Sequence, residues 1–286
     1  MFSGPESYSL FMSLKTNKLN SIQTNMEKYA QSGDGQKIHY KESGKGNTAL
    51  LFVHGWLGNA EWWNGQQEYF KDSYPIVQMS LAGHGKSDAS RTEWSSERYT
   101  DDIKAVADQI NSQDIILIGH SMSGAYVLEA ASKIPKTTAL ILIDTVKNLD
   151  ETFTEEQVEQ VLYVHYRNDF KNAVENILPQ YLFADKTPAD VRQKLQDEFL
   201  QNTPETAIEL LKPLYKKDFR EDASKVQVPV RAINSDNFPT NIENNRKYLK
   251  DYNYIEMSGT GHYPMLENPE EFNRILDDIL KELNDH

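Results

Sequence analysis

Ser121 stands in Gly119-His120-Ser121-Met122-Ser123-Gly124, between the apolar run Ile115 to Ile118 and a helical pattern at Met122, Ala125, Val127, Leu128, Ala130 and Ala131. A chain that leaves a buried strand and enters a helix within so few residues must turn sharply, with small residues on both sides. The turn presents its apical serine at the carboxyl edge of a sheet and the amino end of a helix, where positive partial charge gathers. A hydroxyl so placed can act as a nucleophile. The spacing is close to the nucleophile elbow G-x-S-x-G, with Ser123 in the second glycine's place.

A serine nucleophile needs a base, a group that orients the base, and donors for the developing oxyanion. His262 suits the first role. It lies in Ser258-Gly259-Thr260-Gly261-His262-Tyr263-Pro264, after the last strand-like run, where glycines and a proline fix a loop at the sheet edge that carries Ser121. Two aspartates at strand ends could orient it, Asp144 and Asp236. The order Ser, Asp, His expected after a nucleophile elbow favours Asp236, in the polar stretch Asn234-Ser235-Asp236-Asn237. Asp144 is read instead as a strand-end residue that bonds nearby backbone N–H groups. His54-Gly55-Trp56 follows an apolar run directly, so the Trp56 N–H can face the elbow and pair with the Met122 N–H as an oxyanion hole. Ser80 to Ser87 nearly matches a phosphate-binding loop. It lacks the first glycine, however, and no periodic helix opens after it, so it is read as a structural turn. None of the seven histidines pairs with another at metal-ligand spacing, and no metal site is expected.

These residues must be carried by strands alternating with helices. Met26 to Ser32 and Lys37 to Ser43 read as a hairpin around Gly33-Asp34-Gly35, and Ala49 to Val53, Ile76 to Met79, Ile115 to Ile118, Ala139 to Ile143, Val228 to Ile233 and Tyr252 to Met257 as further strands. Glu97 to Ile110 and Pro269 to about Leu283 read as helices. Such alternation predicts an α/β fold with a largely parallel sheet covered on both faces. Residues 146–227 break the pattern. They hold no convincing strand, only helical stretches broken at prolines and rich in aromatics, and they read as a helical lid inserted over the strands' carboxyl ends. The expected organisation is a tail over 1–25, a core over 26–145 and 228–286, and the lid over 146–227. A net charge of −13 argues against nucleic acid and anionic membrane surfaces as partners. The absence of cysteine removes disulfides and thiolate chemistry. Met1 to Asn25 is polar, its apolar patch Tyr8 to Leu14 has no basic segment before it, and a cytoplasmic chain without signal peptide is expected.

Taken together, Val53-His54-Gly55-Trp56, Leu81-Ala82-Gly83-His84-Gly85-Lys86-Ser87, the elbow, and Gly261-His262-Tyr263-Pro264-Met265-Leu266-Glu267-Asn268-Pro269-Glu270-Glu271-Phe272 resemble the α/β-hydrolase superfamily, specifically its lidded esterase-like members. The likeness spans about residues 27–284. Ser80, Ser123 and Asn234 depart from the family's usual Asp, Gly and Gly. A serine at the elbow counts against the haloalkane dehalogenases and epoxide hydrolases, which use aspartate there. The resemblance implies a small carboxylic-ester hydrolase with a Ser121–His262–Asp236 triad, an oxyanion hole of Trp56 and Met122, no cofactor and a small-molecule substrate. Trp56, Met122 and Tyr263 are the candidate substrate-pocket walls, with apolar acyl groups favoured. Lactone, amide or carbon–carbon bond hydrolysis, cofactor-free perhydrolysis, or ligand sensing on the same fold are the alternatives.

Overall fold

The computed structural model describes residues 26–284; the expected tail over 1–25 lies outside them. The strands are β1 (Met26–Gln31), β2 (Lys37–Ser43), β3 (Thr48–Val53), β4 (Ile76–Met79), β5 (Asp114–His120), β6 (Thr137–Ile143), β7 (Val230–Ser235) and β8 (Tyr252–Met257). They form one sheet in the order β1-β2-β4-β3-β5-β6-β7-β8. β2 pairs antiparallel with β1 and β4, and every other pairing is parallel. Helices cover both faces of such a sheet, so the central strands are apolar throughout rather than alternating. Accordingly Ile115, Ile116, Leu117 and Ile118 of β5 and Leu140 to Ile143 of β6 are all buried.

Flanking helices include α1 (Asn64–Phe70), α2 (Ser96–Ala107) and α3 (Met122–Ala131). Ser95 caps α2, its side chain accepting from the Arg98 N–H at 3.2 Å. α3 is apolar around most of its circumference, as it must be between the sheet, α2 and the helices that follow β6. Between β6 and β7 the described chain is helical and contains no strand. The longer helices of this insertion are α4 (Ala189–Phe199) and α5 (Pro204–Tyr215), the latter capped by Thr203 with proline at its first position. The chain closes on α6 (Pro269–Asn284), whose Phe272, Ile275, Leu276, Ile279 and Leu280 form the buried stripe expected of an i, i+3, i+4, i+7 pattern. Among the described residues no helix is long and apolar enough to cross a membrane.

α3 packs tightly on the chain leaving β6. A Cβ added at Gly124 would lie 2.1 Å from Thr145 Cγ2. Thr145 cannot easily swing away, because it is β-branched and its hydroxyl is bonded to the Ser121 carbonyl at 2.7 Å. Gly124→Ala should therefore destabilise the fold by about 1–3 kcal/mol. Urea unfolding checks this, and a variant as stable as the parent would mean that Thr145 has room to retreat.

Candidate active site

The turn from β5 into α3 places Ser121 in a conformation that L-residues avoid, with φ +53° and ψ −122°. Its backbone is held on both sides by the exit of β6. The Ser121 N–H donates to Ile143 O at 3.0 Å, and the Ser121 carbonyl accepts from the Thr145 hydroxyl. Ser123 turns its hydroxyl into a clamp. The hydroxyl lies 2.9 Å from both Val53 O and His120 O, tying the elbow to the end of β3. On the opposite side only glycine fits at position 55, where a Cβ would lie 2.7 Å from His120 Nδ1 and 2.9 Å from Ser121 Cβ.

His262 arrives on the loop after β8. The Ser121 hydroxyl lies 2.7 Å from His262 Nε2, and His262 Nδ1 lies 2.7 Å from Asp144 Oδ2. With a carboxylate on Nδ1, the proton of the neutral ring sits there, and Nε2 is free to accept from Ser121. The loop is fixed from three sides. The His262 N–H donates to Leu182 O of the insertion, the His262 carbonyl accepts from His120 Nε2, and Glu267 accepts from the Gly261 and Tyr263 N–H groups.

The carboxylate beside His262 is thus Asp144, and the assignment to Asp236 is corrected. Asp236 instead accepts from the Gly259 N–H through both oxygens, at 3.0 and 3.2 Å. The reason is strand length. β7 does not end at Ile233; Asn234 and Ser235 continue it, paired with Glu256 and Met257 of β8. Successive strand side chains alternate in direction. Ser235 faces Asp144, and Asp236 does not. Asp144 Oδ1 accepts from the Ser235 N–H and hydroxyl, each at 2.7 Å, and from Lys147 Nζ at 2.8 Å. Burial alone would raise this carboxyl's pKa, but the bonds and charges of His262 and Lys147 outweigh it and hold the group well below the usual carboxylate range.

Trp56 follows Gly55, which abuts Ser121, and Met122 opens α3; among the described residues neither backbone N–H has an acceptor in the protein. Trp56 is mounted on the insertion. Its indole N–H donates to Ala207 O of α5 at 2.8 Å, and its ring stacks on Tyr166 at 5.5 Å and 7°. Met122 is buried, and so is Tyr263, whose ring meets Trp62 edge-on and lies near Phe183 and Phe199. Most aromatics of the insertion, including Tyr163, Tyr166, Phe170 and Phe199, are buried in its own packing against the core.

Three further histidines line the core below the site. Leu81 N–H donates to His54 Nε2, so His54 must carry its proton on Nδ1, which donates to Gly55 O at 2.7 Å. His84 Nδ1 lies 3.0 Å from Ala82 O. Burial, reinforced by the nearby His262, pushes His120 down to about 3. Burial pushes His84 down to about 4, and it holds His54 well below its ordinary value. All three remain neutral donors or acceptors of fixed tautomer.

A model of the alpha/beta hydrolase family matches residues 50–275. The chain belongs to the alpha/beta hydrolase family. Among curated relatives, it is 29% identical over 109 residues to a bifunctional esterase/perhydrolase of Acinetobacter calcoaceticus, a match covering 37% of this chain and 40% of that protein. The chain spans 32–42% of the length of the next curated relatives it matches. Among solved structures, a bromoperoxidase from Bacillus anthracis superposes with a TM-score of 0.78 at 20% identity, covering 90% of this chain and 100% of that one. A thermophilic esterase from Thermogutta terrifontis gives 0.77 at 20%, covering 90% and 99%. These likenesses bear on the fold. Within this alpha/beta hydrolase, Ser121, His262, Trp56, Met122 and Tyr263 fall at one sheet edge, and Asp236 stands aside from the Ser121–His262 pair. Lys147 and Ser235, which complete the surroundings of Asp144, belong to no motif. The one sequence signal for Asp144 is its place directly after Leu140-Ile141-Leu142-Ile143, one strand from the elbow.

This geometry predicts opposite fates for the two aspartates. Asp144→Asn should lower kcat by about 10⁴, because an amide cannot hold His262 in its working tautomer, while Asp236→Asn should stay within about threefold of the parent. Rates on an activated ester decide, and the reverse ranking would restore Asp236. The buried histidines set a second expectation. Below about pH 6.5 the unfolded chain's histidines take up protons that the buried ones refuse, so stability must fall as pH drops, by up to about 1.4 kcal/mol per pH unit for each. For His120 the loss continues toward about pH 3. Denaturant midpoints at neutral and mildly acidic pH test it; a midpoint that rises on acidification would contradict the burial argument.

Proposed function

We propose that this protein is a serine hydrolase that cleaves small carboxylic esters through an acyl-enzyme. The observation that carries the reading is the unbroken chain from the Ser121 hydroxyl through His262 to Asp144, with both links at 2.7 Å. The Ser121 hydroxyl attacks the ester carbonyl while its proton passes to His262 Nε2. The tetrahedral oxyanion takes hydrogen bonds from the Trp56 and Met122 N–H groups, each donor being worth about 3–4 kcal/mol in the transition state. His262 then protonates the departing alkoxide. Asp144 keeps the proton of Nδ1 in place and stabilises the imidazolium without accepting a proton itself. In the second half, water loses a proton to His262 and attacks the acyl carbonyl, and Ser121 leaves with that proton. Water is the one co-reactant this scheme needs.

The names of relatives add support. The Acinetobacter calcoaceticus relative is an esterase as well as a perhydrolase. That pairing also favours a second reading of the same site, in which hydrogen peroxide replaces water as the acyl acceptor and the product is a peracid. The helical insertion acts in either case as a lid, because it holds both Trp56 and the His262 loop through α5 and Leu182.

Ser121→Ala should lose labelling by a fluorophosphonate probe and about 10³-fold or more of kcat on 4-nitrophenyl acetate. Near-normal turnover by that variant would end the proposal. Peracid formation from acetate and peroxide, measured on the same preparations, separates the two acceptors.

A further inference from the structure

Lys147 lies three residues beyond Asp144 and returns onto it. Asp144 and Val146 both have left-handed backbone, at φ +44° and +50°, and this double reversal folds the chain back on itself. The Lys147 side chain is only 13% exposed, and its ammonium sits 2.8 Å from Asp144 Oδ1, 2.9 Å from Ser235 O, and 3.2 Å from both Ser235 Oγ and Phe238 O. Two conformations that L-residues avoid and an ammonium largely withdrawn from water are a costly way to orient a carboxylate. Ser235 alone already gives Asp144 Oδ1 two hydrogen bonds. What Ser235 cannot give is a charge.

We propose that Lys147 is a positioning residue that partly offsets the Asp144 charge felt by His262, the ring that is to take the Ser121 proton. An unopposed carboxylate at 2.7 Å favours the imidazolium, and an imidazolium cannot act as a base. The ammonium on the far oxygen of the same carboxylate opposes that pull. The other polar groups around His262 are engaged elsewhere. His120 is neutral and bonded to the His262 carbonyl, Glu267 is spent on the Gly261 and Tyr263 N–H groups and the Thr187 hydroxyl, and Asp236 is on the Gly259 N–H. The Tyr263 ring meets His262 edge-on, and its hydroxyl is held un-ionised by burial. The Lys186 ammonium of the insertion lies beside Gly259, 3.7 Å from where a Cβ on that glycine would stand. This inference rests on the reading of Ser121, His262 and Asp144 as a catalytic triad.

The test is the pH dependence of kcat/KM for 4-nitrophenyl acetate in the full-length protein. The acid limb should move to higher pH by about one unit in Lys147→Met and in Lys147→Gln, the low end of what a neighbouring charge does. In Lys147→Arg, which keeps the charge, it should stay where the parent has it. The glutamine variant retains hydrogen bonding to the Ser235 and Phe238 carbonyls and serves should the methionine variant not fold. An unmoved limb in the uncharged variants, even with lowered activity or Tm, would make Lys147 a brace of the loop and overturn the proposal. So would an equal shift in the arginine variant. Ser121→Ala run alongside keeps the two ideas apart. Full turnover there removes the triad itself, whereas lost turnover with an unmoved limb strikes Lys147 alone.

Discussion

A single carboxylate buried at the carboxyl edge of the sheet, that of Asp144, is the constraint around which this molecule is arranged. A carboxylate left unpaired in such a place would cost several kcal/mol, and the cost is avoided only by near-complete satisfaction of its oxygens. Each oxygen is met from a different element: Oδ2 by His262 from the loop after β8, and Oδ1 by Ser235 from the end of β7 and by Lys147 from the start of the insertion. The same short exit from β6 also fixes Ser121. Ile143 and Thr145 hold the Ser121 backbone from either side, while Val146 O accepts from Asn245. One stretch, 143–147, therefore positions the serine, supplies the carboxylate and begins the insertion.

That density of function is stored as strain. Leu57, Ser121, Asp144 and Val146 are the non-glycine residues with positive φ among those described, and all lie on the loops that meet at the serine. Such conformations cost on the order of 1–3 kcal/mol each and persist only where the surroundings over-determine them. Here the surroundings do. β3, β5 and β6 are buried along nearly their whole length, so their ends are rigid mounts, and the strained residues sit within a few positions of those ends. The insertion adds the remaining restraint by bonding Trp56, Trp62 and the His262 backbone through α4, α5 and Leu182. Trp56 and the His262 loop thus lean on the insertion for part of their placement.

Much of this is written locally in the chain. The run Ile115 to Ile118 followed by Gly-His-Ser-Met-Ser-Gly specifies a strand, a turn and a helix from neighbouring residues alone. The glycines and proline around His262 likewise fix a loop at a strand end. The strandless insertion is legible because strand patterning stops at Ile143 and resumes near Val230. What fails is anything decided by partners distant in sequence. Asn234 and Ser235 are polar and read as a loop, yet they are buried strand residues. Asn234 Nδ2 donates to the Thr240 hydroxyl and the Ser235 hydroxyl donates to Asp144, while the buried Asn234 Oδ1 has no partner among the described residues. The Ser123 clamp and the contacts of Lys147 are illegible for the same reason, since they exist only once β3, β5, β6 and β7 stand in one sheet.

The position of the carboxylate beside His262 follows from sheet geometry. β6 and β7 are adjacent and parallel, with Ile143 level with Ile233 and the Asp144 N–H donating to Ile233 O at 2.9 Å. Neighbouring strands lie about 4.8 Å apart, roughly the reach of one aspartate side chain and its hydrogen bond. A carboxylate at the end of either strand can therefore approach a histidine delivered from beyond β8, and chain order does not choose between them. Two local facts choose. β7 runs on to Ser235, which turns that hydroxyl toward Asp144 and leaves the next carboxylate on the Gly259 N–H. β6 stops at Ile143, and the left-handed turn at Asp144 aims its side chain back across the sheet edge. With Asp144 at the end of β6, the end of β7 is left to hold it: the Ser235 N–H and hydroxyl grip the carboxylate, and the Ser235 and Phe238 carbonyls grip the lysine beside it.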